Sequence, residues 1–517
     1  MNTYKYLGLF LLSLSIVSCD VDNELDAIPA EEVAEVALDT NGLDFSKYIS
    51  IGASFTAGFT DGAMFAAAQE NSFPNILAGK FGTDFKQPIM VDELGKPNNI
   101  GGLVNGGQPI LNPITGEDRF PPRFYFNGAG PARLDALPTT ELTTVLSGPF
   151  NNYGAPGAKS FHLGIAGYGQ LNPYFGRMAS SPGASVMGDA LAQSPTFFTL
   201  SEIGGNDVLG YALSGGSGVD QTGNYNPATY GGSDITDPNV FASVFSGMVT
   251  ALTANGAKGV VANVPYITDL ANFTTVPHNP VPLDGATAGA VNAAYAPYNG
   301  GIQQAFAFLV AYTPMTQEMA SAEIAKRTIS FSEGQNAVVI VDEDLTDLEA
   351  LNPAFAGLKQ YRHATADDLL LLASSSFIGT TVGGNPQLIN GVTVPLADNW
   401  VLTPQEQASI MTATDAYNTT IAAVASSNPN IALVDFKGVL TEASSGIQFD
   451  NYTMTTNLVT GGLVSLDGVH LTARGYALMA NKILAAMDLE FGSNFSTATN
   501  GLAKAGDYPT NYSAMLR

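Results

Sequence analysis

Short apolar runs, rich in β-branched or aromatic residues, recur far apart along the chain. They are YISI at 48–51, TFFTL at 196–200, GVVANV at 259–264 and IALVDF at 431–436. Between them the pattern turns helical, at 73–81, 240–254, 404–426 and 473–487. The helix over 404–426 has the clearest start, with Thr403 as N-cap and Pro404 at its first position. Thr472 is the expected cap of the last helix. Short strands alternating with helices predict an α/β fold, a mostly parallel sheet covered on both faces.

The intervening sequence is long. Glycine (55) and proline (29) are abundant in the 517 residues, and only 13% are charged, about half the usual share. Segments 88–150, 214–238 and 277–296 read as Gly-, Pro- and Asn-rich connections. Segment 335–402 carries a strand of its own (AVVIVDEDL) and the acidic-apolar stretch TADDLLLLA. Structureless loops of this length are uncommon in a compact domain, so all four are expected to be insertions that build a cap or side subdomain. The body is placed at 43–491, and the polar residues 492–517 are expected to form a peripheral tail.

Twenty Lys and Arg against 46 Asp and Glu leave a net charge of −26. Such a chain repels nucleic acid and lacks the basic cluster that binding it requires. Anionic lipid is excluded as a direct electrostatic partner for the same reason. The N-terminus reads as a processing signal over 1–18, with Lys5 ahead of an apolar stretch at 7–17 too short to span a membrane. It ends in Ile16-Val17-Ser18-Cys19, and Cys19 is the single cysteine. That run resembles a bacterial lipobox, which implies lipidation at Cys19 and a membrane anchor; an ordinary secretory signal is the alternative. Residues 19–42 read as an acidic tether, similar to those of surface-exported lipoproteins of the Gram-negative outer membrane.

Only four histidines are present: His162, His278, His363 and His470. His470 alone has an acid placed to orient it, Asp467, in SLDGVHLTARGYALMANKIL. An Asp-x-x-His pair also describes a capping or surface pair. Elsewhere, YISIGASFTAG puts Ser54 just after a strand, and NNYGAPGAKS contains a tight turn at Gly157. PTFFTLSEIGGNDVLG ends a strand in a run containing Asn206, whose amide could donate to a developing oxyanion. GAKS lacks the order and spacing of a phosphate-binding loop. No two histidines sit at metal-ligand spacing and there is no second cysteine, so neither a metal centre nor a cofactor is expected. The acids between Asp234 and Asp237 leave bound Ca²⁺ or plain solvation as alternatives.

Taken in order, Gly-x-Ser, a Gly turn, Gly-x-Asn-Asp and Asp-x-x-His before the last helix resemble the SGNH/GDSL hydrolase family of esterases, lipases and carbohydrate deacylases. The resemblance implies a three-layer α/β/α sandwich around a five-stranded parallel sheet. It implies Ser54 as nucleophile, His470 as general base and acid, and Asp467 as its orienting partner. The oxyanion hole would comprise the Ser54 and Gly157 backbone N–H groups and the Asn206 side chain. The substrate would be a carboxylic ester, lipid or acylated glycan. The sequence departs from the family at Gly52-Ala53-Ser54-Phe55, where Gly-Asp-Ser-Leu is usual. That departure and the bulk of inserted sequence motivate an alternative: a non-catalytic surface lipoprotein serving an outer-membrane transporter.

Overall fold

The computed structural model describes residues 35–517, Ile114 excepted. The signal segment, Cys19 and most of the acidic tether lie outside the described residues. Leu43 is buried.

The first strand, β1 (Tyr48–Gly52), runs directly into a one-turn helix, α1 (Ser54–Ala57), followed by α2 (Phe73–Phe81). After a long excursion come β2 (Asn152–Gly154), α3 (Val186–Ala192), β3 (Phe197–Leu200) and α4 (Asn206–Leu213). The core continues with α5 (Pro238–Thr253) and β4 (Lys258–Ala262). Beyond an insertion containing α6 (Gly285–Tyr312), it closes with α7 (Pro404–Ser426), β5 (Ile431–Val434), α8 (Phe436–Ser445) and α9 (Ala473–Phe491).

Strands β1 to β5 form one parallel sheet in the order β2-β1-β3-β4-β5, with Gly52 opposite Gly154 and Ile51 opposite Leu200. Every residue of β1, β2 and β3 is buried, as a parallel sheet covered on both faces requires. Helices α3, α5 and α7 pack in series; α2 packs on α9, and both sets reach the sheet. Local chemistry sets the helix starts. Thr403 and Glu406 form a reciprocal capping box with Pro404 at the first turn of α7, and Thr472 accepts from the Gly475 N–H at the start of α9.

Three parts of the chain differ from their sequence reading. The fifth strand, β2, lies in NNYGAPGAKS, where only a turn was expected; three residues without a β-branched side chain give little strand signal. Segment 277–296 is not a connection throughout, because α6 begins at Gly285 with Asp284 accepting from the Thr287 N–H, and it continues past Pro297. Residues 492–517 are not peripheral: Phe495 and Ala505 are fully buried, and Arg123 binds the carbonyls of Ser513 and Leu516 at 2.7 and 2.9 Å.

The inserted chain between β4 and α7 has a core of its own around Val338, Ile340, Leu370, Val392 and Leu396. It is threaded by short antiparallel pairs, among them Val339–Val341 with Tyr361–His363. Arg362, buried here, bridges Asp342 and Asp368.

The topology leaves a gap at the carboxyl ends of β1, β2 and β3, beside the point where strand order reverses, and this is where open α/β sheets bind ligands. α1 sits tightly there. A Cβ on Gly154 would stand 2.2 Å from the Ala57 nitrogen, a backbone atom that cannot rotate away. Gly154→Ala is therefore expected to destabilise the fold by about 1–3 kcal/mol, the usual range for overpacking, measurable as a lowered denaturation midpoint.

Candidate active site

Ser54 is the first residue of α1, so its N–H has no intrahelical acceptor and is available to an outside group. The turn that presents it is held from below by Glu202, at the end of β3. Glu202 Oε1 accepts from the Ala53 N–H at 2.6 Å and the Thr56 N–H at 2.9 Å, and Oε2 accepts from Thr56 Oγ1 at 3.1 Å. Gly52 permits this approach, because a Cβ there would lie 2.2 Å from Thr56 Oγ1 and 2.9 Å from Glu202 Oε1. Burial pushes the Glu202 carboxyl up to about 7, against the pull of its backbone donors. Ala53 itself is buried.

Asp467 and His470 form the pair expected from their spacing. His470 Nδ1 lies 2.9 Å from Asp467 Oδ2. Asp467 also accepts from the backbone N–H groups of Gly62, Val469 and His470, and from Ser465 Oγ, at 2.8 to 3.1 Å. Burial alone would raise this carboxyl; the neighbouring imidazole and the N–H donors outweigh it and hold Asp467 well below the usual carboxylate range. The histidine ring rests on two side chains of the segment that begins at Ser54. Phe59 is 4.6 Å away between ring centroids and Phe55 is 5.5 Å away, edge-on.

Behind Asp467 sits a further acid. Asp61 donates its N–H to Ser465 Oγ and accepts from the Leu466 N–H, while its Oδ2 is buried without a partner. Burial raises it to about 7, with the Asp467 charge adding to the rise and Arg123 opposing it.

Asn206 opens α4 and donates from Nδ2 to the Ala158 carbonyl at 2.9 Å, leaving its second amide hydrogen unengaged. Asp207, fully buried, accepts from Ser160 N–H and Ser160 Oγ at 2.9 and 2.8 Å. The Gly157–Ser160 segment is thereby clamped to the start of α4. On its other side, the Ala155 N–H bonds the Gly52 carbonyl at 3.0 Å. The Gly157 N–H takes no protein acceptor among the described residues.

Ser54, Asn206 and Val469 line one apolar cavity of about 120 Å³, closed by Leu209, Val264 and Met479. Of the expected residues, Ser54 and Asn206 line this cavity, while Gly157, Asp467 and His470 are not among its lining residues. Ser54 Oγ and His470 Nε2 are not hydrogen-bonded to each other, and neither bonds any other protein group among the described residues.

Two of the other histidines have structural partners. His162 Nδ1 accepts from the Lys159 N–H, and burial lowers it to about 4. His363 Nε2 accepts from the Ser330 N–H. Asp234 and Asp237 spend their oxygens on local donors, including the Val219, Gly231, Gly223 and Asn239 N–H groups. Asp207 closes the Gly-x-Asn-Asp run, whereas nothing in the sequence around Glu202 and Asp61 marks them. No family model matches the chain, and neither does any curated protein or solved structure.

Glu202 generates a pH prediction. In the folded chain it keeps its proton to about pH 7, whereas an unperturbed glutamate releases it near 4.5. The folded state thus binds more protons between those values, and stability falls as pH rises through the window. Glu202→Gln should flatten that part of the profile, so that its melting temperature, set against wild type from pH 4.5 to 8, gains most at the alkaline end.

Proposed function

We propose that the chain is an extracytoplasmic serine hydrolase of SGNH type, lipid-anchored at Cys19 to the outer membrane, that cleaves carboxylic esters. The observation that carries this reading is the Asp467–His470 pair, 2.9 Å apart, packed against the phenylalanines of the Ser54 segment. The Ser54 hydroxyl attacks the ester carbonyl while His470 Nε2 removes its proton. Asp467 holds the imidazole through Nδ1 and stabilises its charged form. The oxyanion receives the Ser54 and Gly157 N–H groups and the free amide hydrogen of Asn206. His470 then protonates the departing alcohol. It next activates a water that attacks the acyl-enzyme, releasing the acid and restoring Ser54.

The cavity beside Ser54 supports an apolar acyl group. Its volume of about 120 Å³ is close to the roughly 150 Å³ that accommodates a benzene ring, which favours short chains. A wider recess of about 750 Å³ lies beside Asp467, lined by Phe124 and Arg133 from one inserted segment, Pro277 and Pro280 from a second and Leu372 and Ile378 from a third. It offers room for the alcohol part of a lipid or an acylated glycan.

Ser54→Ala should lower turnover of short p-nitrophenyl esters by at least about 10³-fold while leaving the melting temperature little changed. Asn206→Ala should lower kcat by about 10²–10³-fold, the effect of losing one oxyanion donor. A fluorophosphonate probe should label Ser54; a folded, unlabelled wild type would mark an inert scaffold and overturn the reading. Leu209→Trp, which narrows the cavity, should shift preference from hexanoyl toward acetyl esters in a chain-length series.

A further inference from the structure

Away from this site, the inserted unit meets the core at a group of acids. Glu343 follows the strand Val339–Val341, Asp398 lies just before Trp400, and Glu406 sits in the first turn of α7. One carboxylate oxygen from each lies within 4.8 Å of the others. Glu343 is exposed, Asp398 is half-buried, and Glu406 is only 5% exposed. Among the described residues no Lys, Arg or His forms an ion pair with any of the three.

An acidic surface cluster by itself needs no ligand. Glu406 is different, because its oxygens have separate fates. Oε2 accepts from the Thr403 N–H and Oγ1 at 2.6 and 2.9 Å, which accounts for the helix cap. Among the described residues no donor reaches Oε1, which is fully buried. It is covered by Gly216, where a Cβ would stand 1.7 Å away, and a Cβ on Gly215 would stand 2.2 Å from the Asp398 carbonyl oxygen. An unpartnered carboxylate oxygen buried among like charges is strongly unfavourable unless a cation or a proton joins it.

We propose that Glu343, Asp398 and Glu406 bind a calcium ion that ties the inserted unit to α7. An all-oxygen, all-carboxylate set selects a hard cation over zinc or copper. Calcium accepts protein carboxylates in irregular, flexible geometry, whereas magnesium demands a near-ideal octahedron and keeps most of its waters, so three carboxylates from separate elements favour calcium. Water and bidentate contacts at the exposed Glu343 side complete the shell. The site is independent of the hydrolase reading, since none of its residues touches Ser54 or His470.

The test is isothermal titration of the full mature protein, stripped with EDTA, with CaCl₂ and separately with MgCl₂. One saturable calcium site is expected, with Kd in about the 10⁻⁴–10⁻³ M range of extracellular calcium modules, and weaker magnesium binding. Glu343→Gln and Asp398→Asn, both outside the helix cap, should each weaken calcium binding at least about tenfold (about 1.4 kcal/mol) with an unchanged circular dichroism spectrum. Absence of saturable binding below about 5 mM, well above that Kd range, would overturn the proposal. So would calcium binding that both variants retain, or magnesium binding as tight as calcium. Should either variant misfold, the wild-type titration still decides.

Discussion

The carboxylate of Glu202 is the strap on which the arrangement at the sheet edge depends. It is delivered from the end of β3 and closes on two backbone N–H groups and one hydroxyl of the β1–α1 turn. Its own backbone is left-handed, with φ of +50°, a conformation costing about 1–2 kcal/mol for a residue with a Cβ. The three hydrogen bonds offset that cost. The turn in turn orients Ser54, and the chain leaving it supplies both rings that seat His470 and the Gly62 N–H that binds Asp467. A shift at Glu202 would therefore displace Ser54 and His470 together. This also gives Ala53 a physical reading. Ala53 carries no acid of its own, and Glu202, just beyond β3, grips its backbone N–H.

Much of the architecture was legible because its signals are local. The sheet strands β1, β3, β4 and β5 are apolar runs long enough to stand out, and α7 and α9 begin with side-chain caps that sequence alone identifies. The strand β2 was hidden because it is three residues long and owes its conformation to pairing with β1. Helix α6 was obscured by its glycines and Pro297, which lower helix propensity while its buried face, including Val291, Tyr295 and Phe306, is stabilised by packing. The C-terminal segment looked polar, yet it is fixed by a few buried apolar anchors and by Arg123, more than 380 residues away in sequence.

The site divides in the same way. Asp467 and His470 share one loop, so their pairing follows from three-residue spacing and needs little of the fold. Ser54, Gly157 and Asn206 approach only because β2, β1 and β3 are adjacent in the sheet. Glu202, Asp207 and Asp61 are further from legibility still. Their targets include backbone N–H groups, which every residue possesses, and hydroxyls distant in sequence, so nothing local marks the pairing. Clamping by an acid on backbone amides is a property of the folded chain.

Those acids bear on how a strongly acidic protein could host a reaction that creates negative charge. Under the proposed mechanism an oxyanion forms next to Ser54, close to Glu202, with Asp467 and Asp61 behind the histidine. Three ionised carboxylates would oppose it, because like charges a few ångströms apart interact strongly where water is excluded. Burial separates their states instead. Asp467, given an imidazole and several donors, stays ionised and stabilises positive charge on His470. Glu202 and Asp61, raised to about 7, retain much of their protonation near neutral pH and add little repulsion. One environment thus keeps one acid charged for the base and leaves two available as neutral scaffolding. Under that mechanism the net charge of −26 does not describe the field at the ester carbonyl, which the dry edge of the sheet and its N–H donors set.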